Sequence, residues 1–129
     1  MSVISSNIHV EKIDSYTGHR DGVYGLTRID TETDFLSCSG DGYVVRWNTE
    51  IPDLGTPIAK VQNSIYALHF DKTTNYLWIG HNFDGVHLID LTTRLEVHRV
   101  ALGKVTFFDI KSIGNVVFIA DSAGQLTWL

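Results

Sequence analysis

The sequence predicts an all-β protein, and three observations support this assignment. Short segments rich in β-branched and aromatic residues recur along the chain, as in VYGLTRI at residues 23–29 and IYALHF at residues 65–70. Glycine-containing turn sequences, such as GDG at residues 40–42, separate these segments. No window of ten or more residues keeps its apolar side chains at helical spacing. We therefore expect strands joined by turns throughout the chain.

Aromatic residues recur at a constant interval in this strand pattern. Tyr24, Tyr66 and Phe108 are separated by 42 residues each, and the position two residues later is leucine or isoleucine every time. A repeat of about 40–45 residues with four short strands is the sequence signature of a β-propeller blade. The sequence therefore predicts an all-β propeller segment of three four-stranded antiparallel blades. The alternative is an ordinary β-sandwich whose spacing is coincidental.

Each predicted strand has a recognisable place in its repeat. The innermost strand contains the repeated aromatic residue, and a glycine-containing turn joins the second strand to the third. The third strand ends at a side-chain amide or carboxylate, Asn48 in the first repeat and Asp90 in the second, and an outer strand follows. The predicted strands are residues 23–29, 35–39, 43–48 and 57–61 in the first repeat, 65–70, 76–80, 86–91 and 95–100 in the second, and 106–111, 116–120 and 125–129 in the third.

The predicted blades divide the chain into consecutive units of one propeller segment. Blade 1 spans residues 18–61, blade 2 spans residues 62–101, and blade 3 spans residues 102–129 without an outer strand of its own. Residues 1–17 contain an additional outer strand, at residues 9–16, which would close another blade. Closed propellers use about 4–8 blades. We therefore expect completion by oligomerisation, as a homodimer of three blades each, or by further sequence of a longer propeller.

The first repeat resembles the WD-repeat β-propeller family. A glycine-histidine pair at residues 18–19, a spacer, and SCSGDGYVVRWN at residues 37–48 match the motif of that family. In the family, the histidine, a strand serine or threonine, the turn aspartate and the tryptophan form a buried hydrogen-bond chain. The resemblance therefore implies a structural tetrad of His19, Ser37, Asp41 and Trp47. Ser39 is the alternative to Ser37, because the match is uncertain by a residue or two.

The second and third repeats depart from the family motif. The second repeat lacks the glycine-histidine pair and has isoleucine, Ile89, at the tryptophan position, although it keeps a turn aspartate, Asp84. The third repeat has Ala123 near the position of the turn aspartate. We therefore expect a tetrad in blade 1 alone, and apolar packing alone in the other two blades.

A histidine, a serine and an aspartate in one segment also raise the alternative of a hydrolase. A serine nucleophile needs an exposed sharp turn and an oxyanion hole, whereas Ser37 lies inside a strand between Leu36 and Cys38. A buried imidazole needs partners for both ring nitrogens, and a carboxylate and a hydroxyl provide them. We predict that His19 is part of the scaffold, that the protein has no catalytic residues and that it is not an enzyme.

Composition and charge exclude several classes of partner. The net charge is −5 and no cluster of lysine and arginine occurs, so a nucleic-acid backbone would be repelled. No apolar stretch approaches the roughly 18 residues of a membrane span, and the start has no secretory pattern. The histidines lack the paired spacing of zinc ligands, so we predict no metal and no cofactor. The single cysteine, Cys38, indicates the reducing cytoplasm.

One end of the predicted blades is the candidate binding surface. In propellers, the loop that enters the innermost strand and the turn between the next two strands share one face, which we call the loop face. Its candidate partner-binding residues are Arg20, Asp21, Asn63, Asn82, Phe83 and Lys104. We assign the repeated aromatic residues to the apolar core between blades, with a binding stripe as the alternative. The resemblance implies a non-catalytic scaffold for a protein or peptide partner. The alternative is a small-ligand binder or enzyme that uses the central channel of an assembled propeller.

Overall fold

Antiparallel β-sheets make up the fold, as a computed structural model of residues 8–83 and 85–129 describes it. Eleven strands and no helix occur among these described residues. Asp84, the turn aspartate predicted in the second repeat, and the first seven residues of the predicted segment 1–17 lie outside the described residues.

Three sheets follow one another along the chain, and each keeps its strands in sequence order. Blade 1 consists of β1 (Val23–Arg28), β2 (Asp34–Ser39), β3 (Tyr43–Asn48) and β4 (Ile51–Lys60). Blade 2 consists of β5 (Ile65–Asp71), β6 (Tyr76–His81), β7 (Val86–Asp90) and β8 (Glu96–Val100). Blade 3 consists of β9 (Phe107–Ile113), β10 (Val116–Asp121) and β11 (Leu126–Trp128). The predicted class, an all-β segment of antiparallel propeller blades, is confirmed.

The blades pack face to face through two apolar cores. Successive residues of a strand point to opposite faces of the sheet, so blade 2 contributes side chains to both cores. The core between blades 1 and 2 contains Ile29, Leu36, Cys38, Val44, Ile58, Ile65, Leu68, Leu77, Ile79 and Ile89. The core between blades 2 and 3 contains Ala67, Val86, Leu88, Phe107, Ile110, Val117 and Ile119. The innermost strands β1, β5 and β9 lie side by side, as blades around a propeller axis require.

The first outer strand is longer than the sequence predicts. The sequence predicts this strand at residues 57–61, whereas the structure begins β4 at Ile51, directly after a two-residue turn from β3. Pro52 and Gly55 lie in an irregular part of the pairing, between the paired residues Ile51 and Thr56. An edge strand tolerates such an irregularity, because its outer side needs no partner.

Residues 8–22 form no strand, and Tyr16, Thr17 and His19 of this segment contact blade 1. The Tyr16 ring packs edge-on against Phe35 and Trp47, with ring centroids 5.3 and 5.5 Å apart. The Thr17 hydroxyl donates to a carboxylate oxygen of Asp53 at 2.9 Å. The strand predicted at residues 9–16 is therefore absent here, because no partner strand in the described chain pairs with this segment. Its assignment to another blade stays a prediction.

Candidate functional site: the blade 1 hydrogen-bond chain and the loop face

The four residues of the predicted tetrad lie in one hydrogen-bonded chain. His19 Nδ1 lies 2.9 Å from Asp41 Oδ2, and His19 Nε2 lies 2.7 Å from Ser37 Oγ. The Trp47 indole N–H donates to Ser37 Oγ at 2.8 Å. A neutral imidazole protonated on Nδ1 satisfies every group, because it donates to Asp41 and accepts the Ser37 hydroxyl proton on Nε2. Each proton of the chain then has an acceptor.

The strand register of blade 1 places these side chains on one face of the sheet. Ser37 pairs with Val45 and Phe35 pairs with Trp47, so Ser37 and Trp47 lie on neighbouring rungs of the same face. Asp41 lies in the turn between β2 and β3. Gly42, which follows it, has a φ of 82°, and a Cβ there would come within 2.4 Å of the Val61 carbonyl oxygen. Only glycine fits this turn, which holds Asp41 toward His19.

Ser39, the alternative to Ser37, has a different role. Its hydroxyl donates to the Asp21 carbonyl oxygen at 3.2 Å and accepts from the Asp41 backbone N–H at 3.1 Å. Ser39 therefore ties the loop before β1 to the turn after β2. It takes no part in the hydrogen bonds of His19 and Trp47, and the ambiguity between the two serines is resolved in favour of Ser37.

The environment of Asp41 keeps its carboxylate charged. Burial acts to raise the pKa of Asp41, but the backbone N–H groups of Arg20 and Tyr43 and the imidazole of His19 outweigh it. The pKa is therefore lowered from its usual 3.8. The two backbone donors lie 3.0 and 2.9 Å from the carboxylate oxygens. Asp41 thus serves as a fixed acceptor at the start of the chain.

This arrangement does not present a nucleophile. Ser37 is only 3 % exposed, and its hydroxyl oxygen is engaged by both His19 and Trp47. The neighbouring thiol is equally unreactive, because burial raises the pKa of Cys38 to about 12. The role that this site supports is structural: it stabilises one arrangement of the strands, because loss of its hydrogen bonds would leave buried polar groups without partners.

The loop-face candidates divide into two groups. Asn63 and Asn82 are engaged within the protein: Asn63 Nδ2 donates to the Asn82 carbonyl oxygen at 3.2 Å, and the Thr106 hydroxyl donates to Asn82 Oδ1. The first hydrogen bond joins two loops of blade 2, and the second joins the loops of blades 2 and 3. Phe83 and Lys104 are instead exposed, and Phe83 is 61 % exposed with a φ of 67°, a left-handed backbone conformation rare for an aromatic residue.

Arg20 and Asp21 form the region of the loop face that belongs to blade 1. Both side chains are exposed. Their backbones are anchored, because the Arg20 N–H donates to Asp41 and the Asp21 carbonyl oxygen accepts from Ser39. The loop is therefore fixed by its main chain while its side chains face solvent. Contact of any loop-face residue with a partner stays a prediction.

The repeated aromatic residues form a surface row that the sequence analysis missed. Each innermost strand has a β-bulge near its start, and Tyr24, Tyr66 and Phe108 are the extra residues of the three bulges. Their rings contact one another across the blades, with centroids 4.6 and 5.8 Å apart. Tyr24 and Phe108 remain 51 % and 54 % exposed. We call these three residues the aromatic row.

The bulges are the reason that the aromatic row lies at the surface and not in the core between blades that the sequence predicts. The extra residue of a bulge leaves the alternation of the strand, so its side chain turns away from the packed face. The small residues that follow two of the aromatics, Gly25 and Ala67, are the one sequence signal that points to such an irregularity.

Within residues 8–83 and 85–129, no group of three or more histidine, cysteine, aspartate and glutamate side chains is arranged to hold a metal ion. No helix long and apolar enough to span a bilayer occurs in the same stretches of the chain.

The sequence was compared with protein families and with curated proteins, and one relative is similar to it. No protein-family model matches the chain. It is 34 % identical over 106 residues to the TSET complex member tstF of Dictyostelium discoideum, a match that covers 81 % of this chain but 9 % of that protein. The chain thus spans less than a tenth of the length of this curated relative.

Solved structures of propellers superpose on the chain. The WD40 β-propeller domain of Doa1 has a TM-score of 0.75 at 18 % identity, over 88 % of this chain and 39 % of that one. U3-55K has a TM-score of 0.65 at 11 % identity, over 88 % of this chain and 40 % of that one. At such low identity these likenesses show the fold. The resemblance of the first repeat is confirmed at that level: the chain has the fold of the WD-repeat β-propellers, of which it forms a three-blade segment.

Proposed function

We propose that this chain is a non-catalytic interaction scaffold whose loop face contacts a protein or peptide. The observation that carries the proposal is the exposed aromatic row. Its three rings follow directly after the loops that contain Arg20, Asn63 and Lys104. Aromatic side chains are enriched in protein interfaces, where they supply large contact areas at little entropic cost.

The rigidity of this surface supports the same proposal. The hydrogen-bond chain of His19 fixes blade 1, and the hydrogen bond from Thr106 to Asn82 joins the loops of blades 2 and 3. A preformed loop surface on a rigid scaffold loses little conformational entropy on binding. The relative in Dictyostelium is described as a member of a complex. By this similarity, we propose that the chain acts within a multi-protein assembly.

Affinity capture with matched variants tests the proposed function. The tagged chain is expressed in cells of its source, and bound proteins are compared with those of a loop-face variant, Phe83→Ser with Lys104→Ser. The control is Lys72→Ser, in the exposed turn between β5 and β6 at the opposite end of blade 2. We expect a partner that the wild type and the control retain and the loop-face variant loses.

Two results would contradict this function. One is a set of captured proteins that is the same for the loop-face variant and the control. The other is a thermal shift on addition of a metabolite with no partner captured, which would favour the small-ligand alternative in the central channel.

We further propose that the outer faces of blades 1 and 3 pack against additional blades. Val23 and Leu26 of blade 1 and Leu126 and Trp128 of blade 3 are all more than half exposed. Apolar surface of this kind on a sheet face is an association site. A second copy of the chain, which would give a homodimer of six blades, or further sequence of a longer propeller would supply the cover.

Sedimentation velocity of the 129-residue chain tests this second element. We expect dimers, or progressive aggregation that Leu26→Ser with Trp128→Ser relieves. A stable, soluble monomer of the wild type at micromolar concentration would contradict packing against additional blades from either source.

A cytoplasmic location is the remaining element of the proposal. Cys38 is a buried free thiol within the described chain, as is usual where disulfides are kept reduced. Fluorescence microscopy of the tagged protein tests this location, and a signal confined to secretory compartments would contradict it.

A further inference from the structure

A cleft between the outer strands of blades 1 and 2 concentrates positive charge. It has a volume of about 650 Å³ and lies between the end of β4 with its following loop and strands β6 to β8. Lys60 lines it from blade 1, and Arg94 and Arg99 line it from blade 2. Its volume is in the range of pockets that hold ligands, roughly 300–1,000 Å³.

The charge of the cleft is opposite to that of the whole chain. Among the described lining residues, three cations face one carboxylate, that of Glu96, whereas the complete chain has a net charge of −5. The Glu96 carboxylate is itself paired with His87 Nδ1. It is therefore engaged with a neighbour on its own blade, and it does not neutralise Lys60 or Arg94.

Lys60 and Arg94 are available to a ligand. Both side chains are exposed, and in residues 8–83 and 85–129 neither makes an ion pair. The Lys60 ammonium lies 4.5 Å from the centroid of the Tyr43 ring, which steadies the side chain while leaving its charge uncompensated. Such cations gain most from an anionic partner that also removes them from bulk water.

The floor of the cleft is preformed. The rings of His81 and His87 stack with centroids 4.6 Å apart and an interplanar angle of 26°. Ala59 and Ile89 add apolar surface beside them. A flat, partly apolar floor under a cationic rim suits a chain that carries both apolar and anionic side chains.

The cations line the cleft from two different blades. Lys60 ends β4 of blade 1, and Arg94 precedes β8 of blade 2. A ligand that reaches both must extend from one blade to the next, which an extended peptide with several anionic side chains can do.

We propose that this cleft binds an extended peptide segment of a partner protein through its anionic side chains. The proposal rests on the proposed function and adds a second contact to it, in a cleft on the side of the blades that borders the loop face at Asn63. Carboxylates and phosphorylated side chains share the required chemistry, and the experiment separates them.

Fluorescence anisotropy of the full chain with three labelled six-residue peptides tests the proposal. The probes are hexaglutamate, a glycine-serine peptide with two phosphoserines, and hexaglutamine as the neutral control. We expect at least one anionic peptide to bind and hexaglutamine not to bind. Added salt should weaken the binding, because the cations are exposed.

Matched variants localise the binding. Lys60→Gln with Arg94→Gln should weaken it about tenfold, because two charge-assisted contacts are lost. Arg28→Gln with Lys72→Gln removes the same charge far from the cleft and should leave the affinity unchanged. Equal melting temperatures of the two double variants show that both are folded.

Three results would overturn the proposal. These are no binding of either anionic peptide, equal weakening in both double variants, and equal affinity for hexaglutamine. If, in addition, the captured partner is lost with the Phe83 loop-face variant and kept with the cleft variant, the cleft proposal fails while the proposed function stands.

Discussion

Blades 1 and 2 bury the same positions of their sheets in opposite ways. Forty-two residues after Ser37 and Trp47, blade 2 has Ile79 and Ile89, and the histidine position is occupied by Val61. In blade 1 these places form the hydrogen-bond chain, which Tyr16 and His19 of the irregular segment before β1 contact. In blade 2 both isoleucines are buried in the core against blade 1.

This difference shows that the element packed on a sheet face determines whether apolar or hydrogen-bonding side chains stabilise that face. Blade 2 is covered by a whole blade, so aliphatic side chains gain from complete burial and need no directional bonds. In blade 1 only the hydrogen-bond chain is covered, by the short segment of Tyr16 to His19, which hydrogen bonds from His19 and ring contacts of Tyr16 hold in place. On the polar face of blade 1 every hydrogen bond must be made, because a buried polar group without its partner is costly.

The largest loss of stability is expected when a hydroxyl side chain replaces a buried isoleucine of blade 2. Ile79→Ser should lower the free energy of unfolding by about 4–6 kcal/mol, because it leaves a cavity and buries a hydroxyl with no partner. Urea unfolding followed by tryptophan fluorescence measures it, with Ile79→Val at about 0.5–1.5 kcal/mol as the milder control. A loss below about 2 kcal/mol would contradict the distinction between the two faces.

The second largest loss of stability is expected when the indole ring of Trp47, at the end of the hydrogen-bond chain, is removed. Trp47→Ala should cost about 3–5 kcal/mol, because it removes a buried aromatic side chain and the donor to Ser37. Trp47→Phe keeps most of the ring volume and should recover the larger share of this loss. Chemical unfolding of both variants provides the comparison, and equal losses would show that the hydrogen bond outweighs the packing.

The histidine itself should matter less. His19→Ala is expected to cost about 1–3 kcal/mol, because Asp41 and Ser37 each lose one partner. A double-mutant cycle with Asp41→Ala measures the coupling between the two side chains. The same variants should leave the basal hydrolysis of an activated ester unchanged. Turnover by the wild type that His19→Ala abolishes would contradict the structural role.

The smallest effect is a dependence of stability on pH that belongs to blade 1. Because the folded-state pKa of Asp41 is below 3.8, its charged form contributes stability above pH 3.8, and this contribution is lost as the pH falls through the folded value. The difference in unfolding free energy between wild type and Asp41→Asn should therefore shrink below pH 3.8. The difference between wild type and Ile79→Val should stay constant, and an equal decline in both would contradict this assignment.

The strand order, the blade repeat and the tetrad of blade 1 could be predicted because they depend on local patterns. A 42-residue interval indicates a repeating unit, and the resemblance of the first repeat to the WD-repeat family implies the tetrad of His19, Ser37, Asp41 and Trp47. The extent of β4 was missed, because an edge strand tolerates Pro52 and Gly55 that a central strand would exclude. The bulges that expose the aromatic row were missed as well, since an extra residue in a ladder is defined by its partner strand.

The sequence alone therefore determined the period of the fold and the residue types of the hydrogen-bond chain, because both follow from side-chain alternation and from the bonding needs of each group. The tertiary structure alone decided what covers each face and which charges meet. Tyr16 and His19 pack on blade 1 from a segment that forms no strand, and Lys60 lines one cleft with Arg94 and Arg99 although they are distant in sequence. Such proximity is set by the packing of one blade on the next, which no local spacing encodes.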